Sequence, residues 1–330
     1  MPESIAEVGR YVSDGWTQFR DIAVSGAYAY VLDDLMEVSV VSISNPLSPQ
    51  LVAIIDTVDG VFDLAVQANV LYLVNYAGLW TLDVSDSTQP IILDVLEREN
   101  LHELVVTNNS AYALTNRWQS PDELFIFDGS SPDSIIELGN LLFQAPAVNL
   151  VVSGTTAYVL SSGSGVCQLH TVDVSNPAEP VELIGPCESA GCRSLAVYDS
   201  VALIGGRGSD NDLTIYSISD PADPVHLAVL NSPHRILDAA IQGSYAYLAT
   251  GEDGLRVIDV SDHSHPAEIG FYDTPGDAKA VAVAGDYAYV ADDSSGLRII
   301  NISNPTTPVE ADRETCAMLS FHHQQLPSQY

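Results

Sequence analysis

The feature that most constrains this chain is a short strand-like segment that returns seven times at a nearly constant interval. Its clearest copies are residues 26–33, 243–250 and 285–292, which share a Tyr-Ala-Tyr core. The aligned positions of the seven copies are residues 30, 72, 112, 158, 202, 247 and 289. Their regular spacing indicates a repeat architecture, in which each unit completes its core by packing against its neighbours.

A second apolar strand follows each copy and ends in a turn. It reads Leu-Arg-Val-Ile-Asp at 255–259 and Leu-Arg-Ile-Ile-Asn at 297–301, and several of the turns contain Asn-Pro or Asp-Pro. The last side chain of this strand is always Asp, Asn or Ser, and we expect it to hold the turn by a hydrogen bond. These residues are Ser42, Asp83, Asp128, Asp173, Ser217, Asp259 and Asn301.

Two further strands complete each unit, as at 267–272 and 280–284. The strands are short and rich in valine and isoleucine, which predicts an all-β fold. Four antiparallel strands per repeat are typical of a propeller blade, so residues 1–310 are predicted to form a seven-bladed β-propeller. Residues 4–11 resemble an outermost strand, and we expect them to complete the last blade and close the ring. Residues 311–330 lack the repeat and are expected to form an irregular tail.

The Leu-Arg-Val-Ile-Asp strand, with its Ala-Tyr-Val neighbour and Asn-Pro-x-x-Pro turn, resembles the LVIVD repeat over residues 4–310. Members of that family are bacterial and archaeal propellers, mostly taken to be secreted or at the cell surface. The resemblance implies this fold and location, and it carries no catalytic residues to transfer. The first seven residues lack the basic and apolar parts of a secretory signal, so a cytoplasmic location stays open.

The charge of the chain limits its partners. Forty-four acidic residues face eleven basic ones, which gives a formal net charge of −33. Such a surface repels a phosphate backbone, so nucleic acid is excluded as a partner. We interpret the acids mainly as a solvated surface that also attracts cations. No apolar run is long enough for a transmembrane helix, and we expect a monomer.

Alignment of the seven innermost strands brings polar residues to the mouth of the central channel. Mixed charge converging on one opening is typical of a site for a polar ligand. The predicted ligand-binding residues are Arg20, Asp21, Asp63, His102, Glu103, Asn149, Arg193, Asp238 and Lys279. In the alternative interpretation these residues face water and neutralise each other. No cofactor is predicted, although the carboxylates would suit Ca²⁺ and the arginines a carboxylate or sugar acid.

Three of the four cysteines, Cys167, Cys187 and Cys192, lie close in the sequence. Antiparallel pairing of 169–174 with 181–185 sets Cys167 beside Cys187, which predicts a disulfide between them. The pair Cys187–Cys192 is the competing prediction, and free thiols are a third. Either disulfide would indicate an oxidising compartment.

These features predict a non-enzymatic binding propeller at a cell surface or outside the cell, which takes a protein, a polysaccharide or cations at the channel mouth. The sequence contains no nucleophile constellation and no cofactor loop. One alternative is a hydrolase or lyase at the same mouth, with His102, Glu103 and Asp238 as acid–base candidates. Two carboxyls at a glycosidase-like separation would favour it. The other alternative is a structural scaffold with an inert channel.

Overall fold

The computed structural model describes residues 3–4, 7–12, 18–55, 60–115, 122–163, 166–184, 188–190, 192–206, 212–232 and 234–305. Within these residues the chain forms thirty β-strands and no helix. Seven sheets, each with four strands in antiparallel order, account for twenty-eight of the strands. The predicted tail at 311–330 lies outside the described residues.

Each sheet has the same order of strands from the channel outward. The innermost strands are β3 (Phe19–Ser25), β7 (Asp63–Gln67), β11 (Leu101–Thr107), β15 (Ala147–Ser153), β20 (Cys192–Tyr198), β24 (Asp238–Gln242) and β28 (Ala280–Ala284). The second strands are β4 (Tyr28–Asp33), β8 (Val70–Val74), β12 (Ser110–Thr115), β16 (Thr156–Gly163), β21 (Val201–Gly206), β25 (Tyr245–Ala249) and β29 (Tyr287–Ala291).

The two outer positions of each sheet are equally regular. The third strands are β5 (Val38–Ser42), β9 (Gly78–Asp83), β13 (Glu123–Asp128), β17 (Val166–Asp173), β22 (Leu213–Ser217), β26 (Leu255–Asp259) and β30 (Leu297–Asn301). The outermost strands are β6 (Gln50–Ile55), β10 (Ile91–Glu97), β14 (Ile136–Leu142), β18 (Val181–Ile184), β23 (Val225–Leu230), β27 (Ala267–Tyr272) and β2 (Glu7–Tyr11). Two short strands, β1 (Glu3–Ser4) and β19 (Glu188–Ala190), pair with β27 and β17.

The seven innermost strands contact one another in a closed cycle, from β3 through β7, β11, β15, β20, β24 and β28 back to β3. The predicted seven-bladed propeller is therefore confirmed, and we number the blades 1 to 7 from β3. The N-terminal strand β2 pairs antiparallel with β30, with Tyr11 opposite Leu297, and so completes blade 7. This pairing closes the ring as predicted.

The core is divided into seven apolar clusters, and each cluster lies between two adjacent blades. The recurrent tyrosine of the second strand takes part in this packing and also carries a polar contact. The Tyr30 hydroxyl lies 3.1 Å from Ser87 Oγ, and the Tyr72 hydroxyl donates to Gly129 O at 3.4 Å, in each case on the next blade. A buried tyrosine needs such a partner for its hydroxyl.

The polar residue at the end of the third strand holds the following turn, as predicted. In five blades its side-chain oxygen accepts the backbone N–H of the serine two residues on, at 2.8–2.9 Å. The N–H groups of Ser85, Ser130, Ser175, Ser261 and Ser303 donate to Asp83, Asp128, Asp173, Asp259 and Asn301, respectively.

A disulfide joins Cys167 of β17 to Cys192 of β20, with 5.7 Å between their Cα atoms. Both predicted pairs, Cys167–Cys187 and Cys187–Cys192, are therefore wrong; Cys187 lies outside the described residues. The strand register explains the error, because β19 places Ser189 opposite Cys167. The bond runs between blades 4 and 5, and this proximity does not follow from pairing within one sheet.

Candidate functional site

The channel mouth opens into a cavity of about 890 Å³. All nine residues of the predicted ligand-binding set line it, so the alignment of the repeats placed them in one location. They converge because they lie at equivalent positions, at or next to the start of the innermost strands, and these starts meet at one end of the channel. Whether they bind a ligand stays a prediction.

Three of the four carboxyls in this set are held by the backbone of their own strands. Oδ1 of Asp21, Asp63 and Asp238 each accepts the N–H of the next residue, at 2.7–2.8 Å. Two of them also reach the next blade: Asp63 Oδ2 accepts Leu104 N–H at 2.6 Å, and Asp238 Oδ2 accepts Val281 N–H at 2.8 Å. These aspartates therefore connect neighbouring innermost strands as well as lining the cavity.

Asp21, Asp63 and Glu103 form a row of carboxyls, because the Asp63 side chain is hydrogen-bonded to both of the others. Loss of hydration, and then repulsion from Asp21, raises the pKa of Asp63 well above its usual range. The same two causes raise the pKa of Glu103 to about 8. The pKa of Asp238 rises to about 7, chiefly through loss of hydration. Glu103 therefore holds a proton at neutral pH.

The basic residues at the mouth differ in how far their charge is already compensated. Lys279 Nζ lies 2.8 Å from Asp277 Oδ2 and 3.3 Å from Asp293 Oδ2, so it is paired at the rim. Arg20 and Arg193 are exposed. The charge of Arg193 partly offsets the rise in the pKa of Glu103 and of Asp238. Loss of hydration, and then the charge of Arg20, lowers the pKa of His102, which is neutral at pH 7.

An aromatic wall is formed by His102, Phe62 and Tyr76; His102 and Phe62 line the cavity, and Tyr76 packs against Phe62 outside the lining. The Phe62 ring meets Tyr76 edge-on at 4.4 Å and stacks against His102 at 5.4 Å, centroid to centroid. Tyr76 is 58% exposed. Sequence analysis did not select it, because it lies in the hairpin between β8 and β9. Asn75 Oδ1 accepts the Gly78 N–H at 3.0 Å and so closes that hairpin. An Asn that bonds to nearby backbone is a turn signal, and this Asn could have drawn attention to the hairpin in the sequence.

The structure also tests the mouth for metal-binding geometry. Among the side chains that it describes, no three His, Cys, Asp or Glu residues come together as a set of metal ligands. The carboxyls at the mouth are instead bonded to backbone N–H groups and to one another. Calcium binding stays a prediction that no observation in the structure favours.

A second group of reactive residue types lies away from the channel mouth. Ser161 Oγ is 2.7 Å from His170 Nε2, and His170 Nδ1 is 2.6 Å from Glu182 Oε1. These are the residue types of a catalytic triad. Ser161 is fully buried, however, and the His170 ring packs against Phe143 at 5.1 Å. No substrate can approach the serine, so the three residues form a structural network in blade 4.

Seven four-stranded sheets around a channel, with a polar cavity at its mouth, define this protein as a β-propeller with a channel-mouth pocket. The model of the LVIVD repeat family matches residues 18–57, 146–185, 193–229, 237–274 and 275–314. These matches cover more than half of the chain, which therefore belongs to the LVIVD repeat family.

Solved structures support the same fold at low sequence identity. The computationally designed Ika8 protein is 11% identical with a TM-score of 0.62, and the match covers 91% of this chain and 99% of the Ika8 chain. BamB from Moraxella catarrhalis is 10% identical with a TM-score of 0.56, and the match covers 85% of this chain and 81% of the BamB chain. A chain of the Mitotic Checkpoint Complex is 12% identical with a TM-score of 0.68, covering 91% of each chain. No curated protein matches the sequence.

Among the described residues there is no helix with the length and apolar character that crossing a membrane requires.

Proposed function

We propose that this protein is a non-enzymatic binding propeller whose ligand-binding site is the channel mouth. The observation that carries the proposal is the 890 Å³ cavity, which brings together all nine polar residues selected from the sequence. Its size lies within the range of known ligand pockets, and its lining combines charged groups with an aromatic wall.

The arrangement of the carboxyls favours binding over catalysis. A glycosidase needs two carboxyls on either side of the scissile bond, roughly 5–10 Å apart. Asp21, Asp63 and Glu103 are instead hydrogen-bonded in one row, and Asp63 and Asp238 hold N–H groups of neighbouring blades. A hydrolase or lyase at the mouth is therefore the less supported alternative.

The partner in this proposal is a protein, and the location is outside the cell or at its surface. A disulfide between blades supports an oxidising compartment. The structure of the Mitotic Checkpoint Complex includes a chain of the same fold within an assembly, which supports the use of such a ring as a docking platform.

Exposed or half-buried residues at and next to the mouth provide the test, since we expect their loss to leave the blades intact. Phe62→Ala, Tyr76→Ala and Arg193→Ala should each abolish or weaken saturable binding in a screen of peptides and oligosaccharides. The exposed His263 follows a third strand, which runs away from the mouth, so His263→Ala on the opposite face is the matched control. Turnover of a substrate that depends on His102 and Glu103 would refute the proposal.

A further inference from the structure

Acidic residues outnumber basic ones in the lining of the cavity. Asp21, Asp34, Asp63, Glu103, Asp238 and Asp293 face three basic residues, Arg20, Arg193 and Lys279. Lys279 is already paired with Asp277 and Asp293 at the rim. His102 contributes no charge at neutral pH, because burial lowers its pKa. Glu103 holds a proton at neutral pH, and a ligand of positive charge would stabilise it and its acidic neighbours in their ionised forms.

We infer that the channel mouth anchors its partner through an organic cation, a lysine or arginine side chain of a basic protein segment, placed between the aromatic wall and the carboxyl row. This inference rests on the proposed function of the mouth as a binding site. It identifies the chemical class of the group that enters.

The aromatic wall is the part of the site that distinguishes an organic cation from a metal ion. Phe62 lines the cavity next to Asp63, and the exposed Tyr76 packs edge-on against Phe62, so this pair extends an aromatic surface outward from the acids. An ammonium or guanidinium group is attracted to such rings, and its alkyl stem covers apolar surface. A cavity of about 890 Å³ also exceeds what a single ion occupies and has room for a long side chain with adjoining backbone.

The carboxyl row gives the binding event a measurable signature. Without a partner Glu103 retains its proton, since burial and repulsion raise its pKa to about 8. The groups that face the row are Asp238, Arg193, Arg20 and His102. An entering cation stabilises the ionised carboxylates, so protons leave as it binds. Affinity should therefore rise with pH from 6 to 8.5, while a lysine probe keeps its own charge.

Isothermal titration calorimetry on the full chain tests this inference. The probe is an end-blocked tetralysine peptide, measured in two buffers of different ionisation enthalpy, with tetraglutamate, chitotetraose and CaCl₂ as comparison probes. We expect saturable 1:1 binding of tetralysine with proton release, and an affinity about tenfold higher at pH 8.5 than at pH 6.

Two mouth variants and one matched control separate the site from general attraction to an acidic surface. Tyr76→Ala and Glu103→Gln should each weaken tetralysine binding about fivefold or more. Asp223→Asn removes one exposed charge from the opposite face and should leave the affinity unchanged. Tyr76 is exposed, so its variant keeps the test valid even if Glu103→Gln fails to fold.

The outcomes distinguish this inference from the proposed function. Equal tetralysine affinity in wild type, Tyr76→Ala and Glu103→Gln overturns the inference, because the contact is then general surface attraction. Mouth-dependent binding of chitotetraose without tetralysine overturns the inference and leaves the proposed function standing. Absence of saturable tetralysine binding also overturns the inference, and the proposed function is then decided by its own mouth variants.

Discussion

Asp63 in blade 2 accepts the backbone N–H of Leu104 in blade 3 through Oδ2, at 2.6 Å. Asp238 makes the equivalent contact with Val281 between blades 6 and 7, at 2.8 Å. The same carboxyls line the cavity, so the sheets that form the ring and the site at its mouth share side chains. A substitution here changes both stability and binding, and the two effects need separate measurements.

Removal of Asp63 should destabilise the propeller. Asp63→Ala leaves the Leu104 N–H without its acceptor, at a cost of about 1–3 kcal/mol in the free energy of unfolding. Denaturation in guanidinium chloride measures this change. Glu99→Ala, at an exposed acid in the same blade, should stay within about 0.5 kcal/mol of wild type. Equal midpoints for the two variants would show that the inter-blade bond contributes nothing.

Stability should fall as the pH rises from about 4.5 to 8. Glu103 binds its proton more tightly in the folded protein, where its pKa is about 8, than in the unfolded chain, where it is 4.5. The folded state therefore holds more protons in this range, and raising the pH favours unfolding. Asp238, with a pKa of about 7, acts in the same direction.

Thermal unfolding at pH 5.5 and 8.5 checks this dependence, and the midpoint should be higher at pH 5.5. Glu103→Gln removes one titrating group, so the difference between the two midpoints should shrink. A midpoint that rises with pH in the wild-type chain would contradict the assignment of raised pKa values to these carboxyls.

Reduction of the disulfide should destabilise the junction of blades 4 and 5. The bond Cys167–Cys192 spans 25 residues, and a loop of this length corresponds to about 3 kcal/mol. Cys192→Ser should lower the unfolding midpoint, whereas Cys187→Ser should leave it unchanged. Non-reducing peptide mapping identifies the pair directly, and a peptide linked through Cys187 would refute it.

The glycine that directly precedes the third strand of blade 7 should tolerate no side chain. Gly296 has φ of +85°, and a Cβ there would lie 2.1 Å from Tyr11 O in the closing strand. Gly285 has φ of +58° with nothing within 4 Å, so Gly285→Ala isolates the backbone cost of about 1 kcal/mol. Gly296→Ala should cost more and speed hydrogen exchange in Glu7–Tyr11. Equal losses in the two variants would argue against a tight closure.

The network of Ser161, His170 and Glu182 should contribute to stability alone. Ser161→Ala leaves the His170 ring nitrogen without its partner and should cost about 1–2 kcal/mol in the free energy of unfolding. A fluorophosphonate probe should not label Ser161 in the folded protein, because the serine is fully buried. Labelling that disappears in Ser161→Ala would show that substrates do reach it.

Most of the fold was predictable because its determinants are local. Alternating apolar residues and turn signals define strands, and a constant repeat length sets equivalent residues at equivalent places in every blade. For this reason the alignment alone selected the nine residues at the mouth and identified Glu7–Tyr11 as part of the closing strand. The turn-holding role of residues such as Asp83 followed from the same local chemistry.

Contacts between blades were decided only by the tertiary structure. The partner of Cys167 is Cys192, and the partner of the Asp63 carboxylate is the Leu104 N–H. Sequence spacing indicates which residues pair within a sheet, because turns of known length set the hydrogen-bond register, although an irregularity such as the one in β17 shifts it. It contains no measure of how one sheet packs on the next, since that angle depends on the volumes of all side chains in the cluster between them.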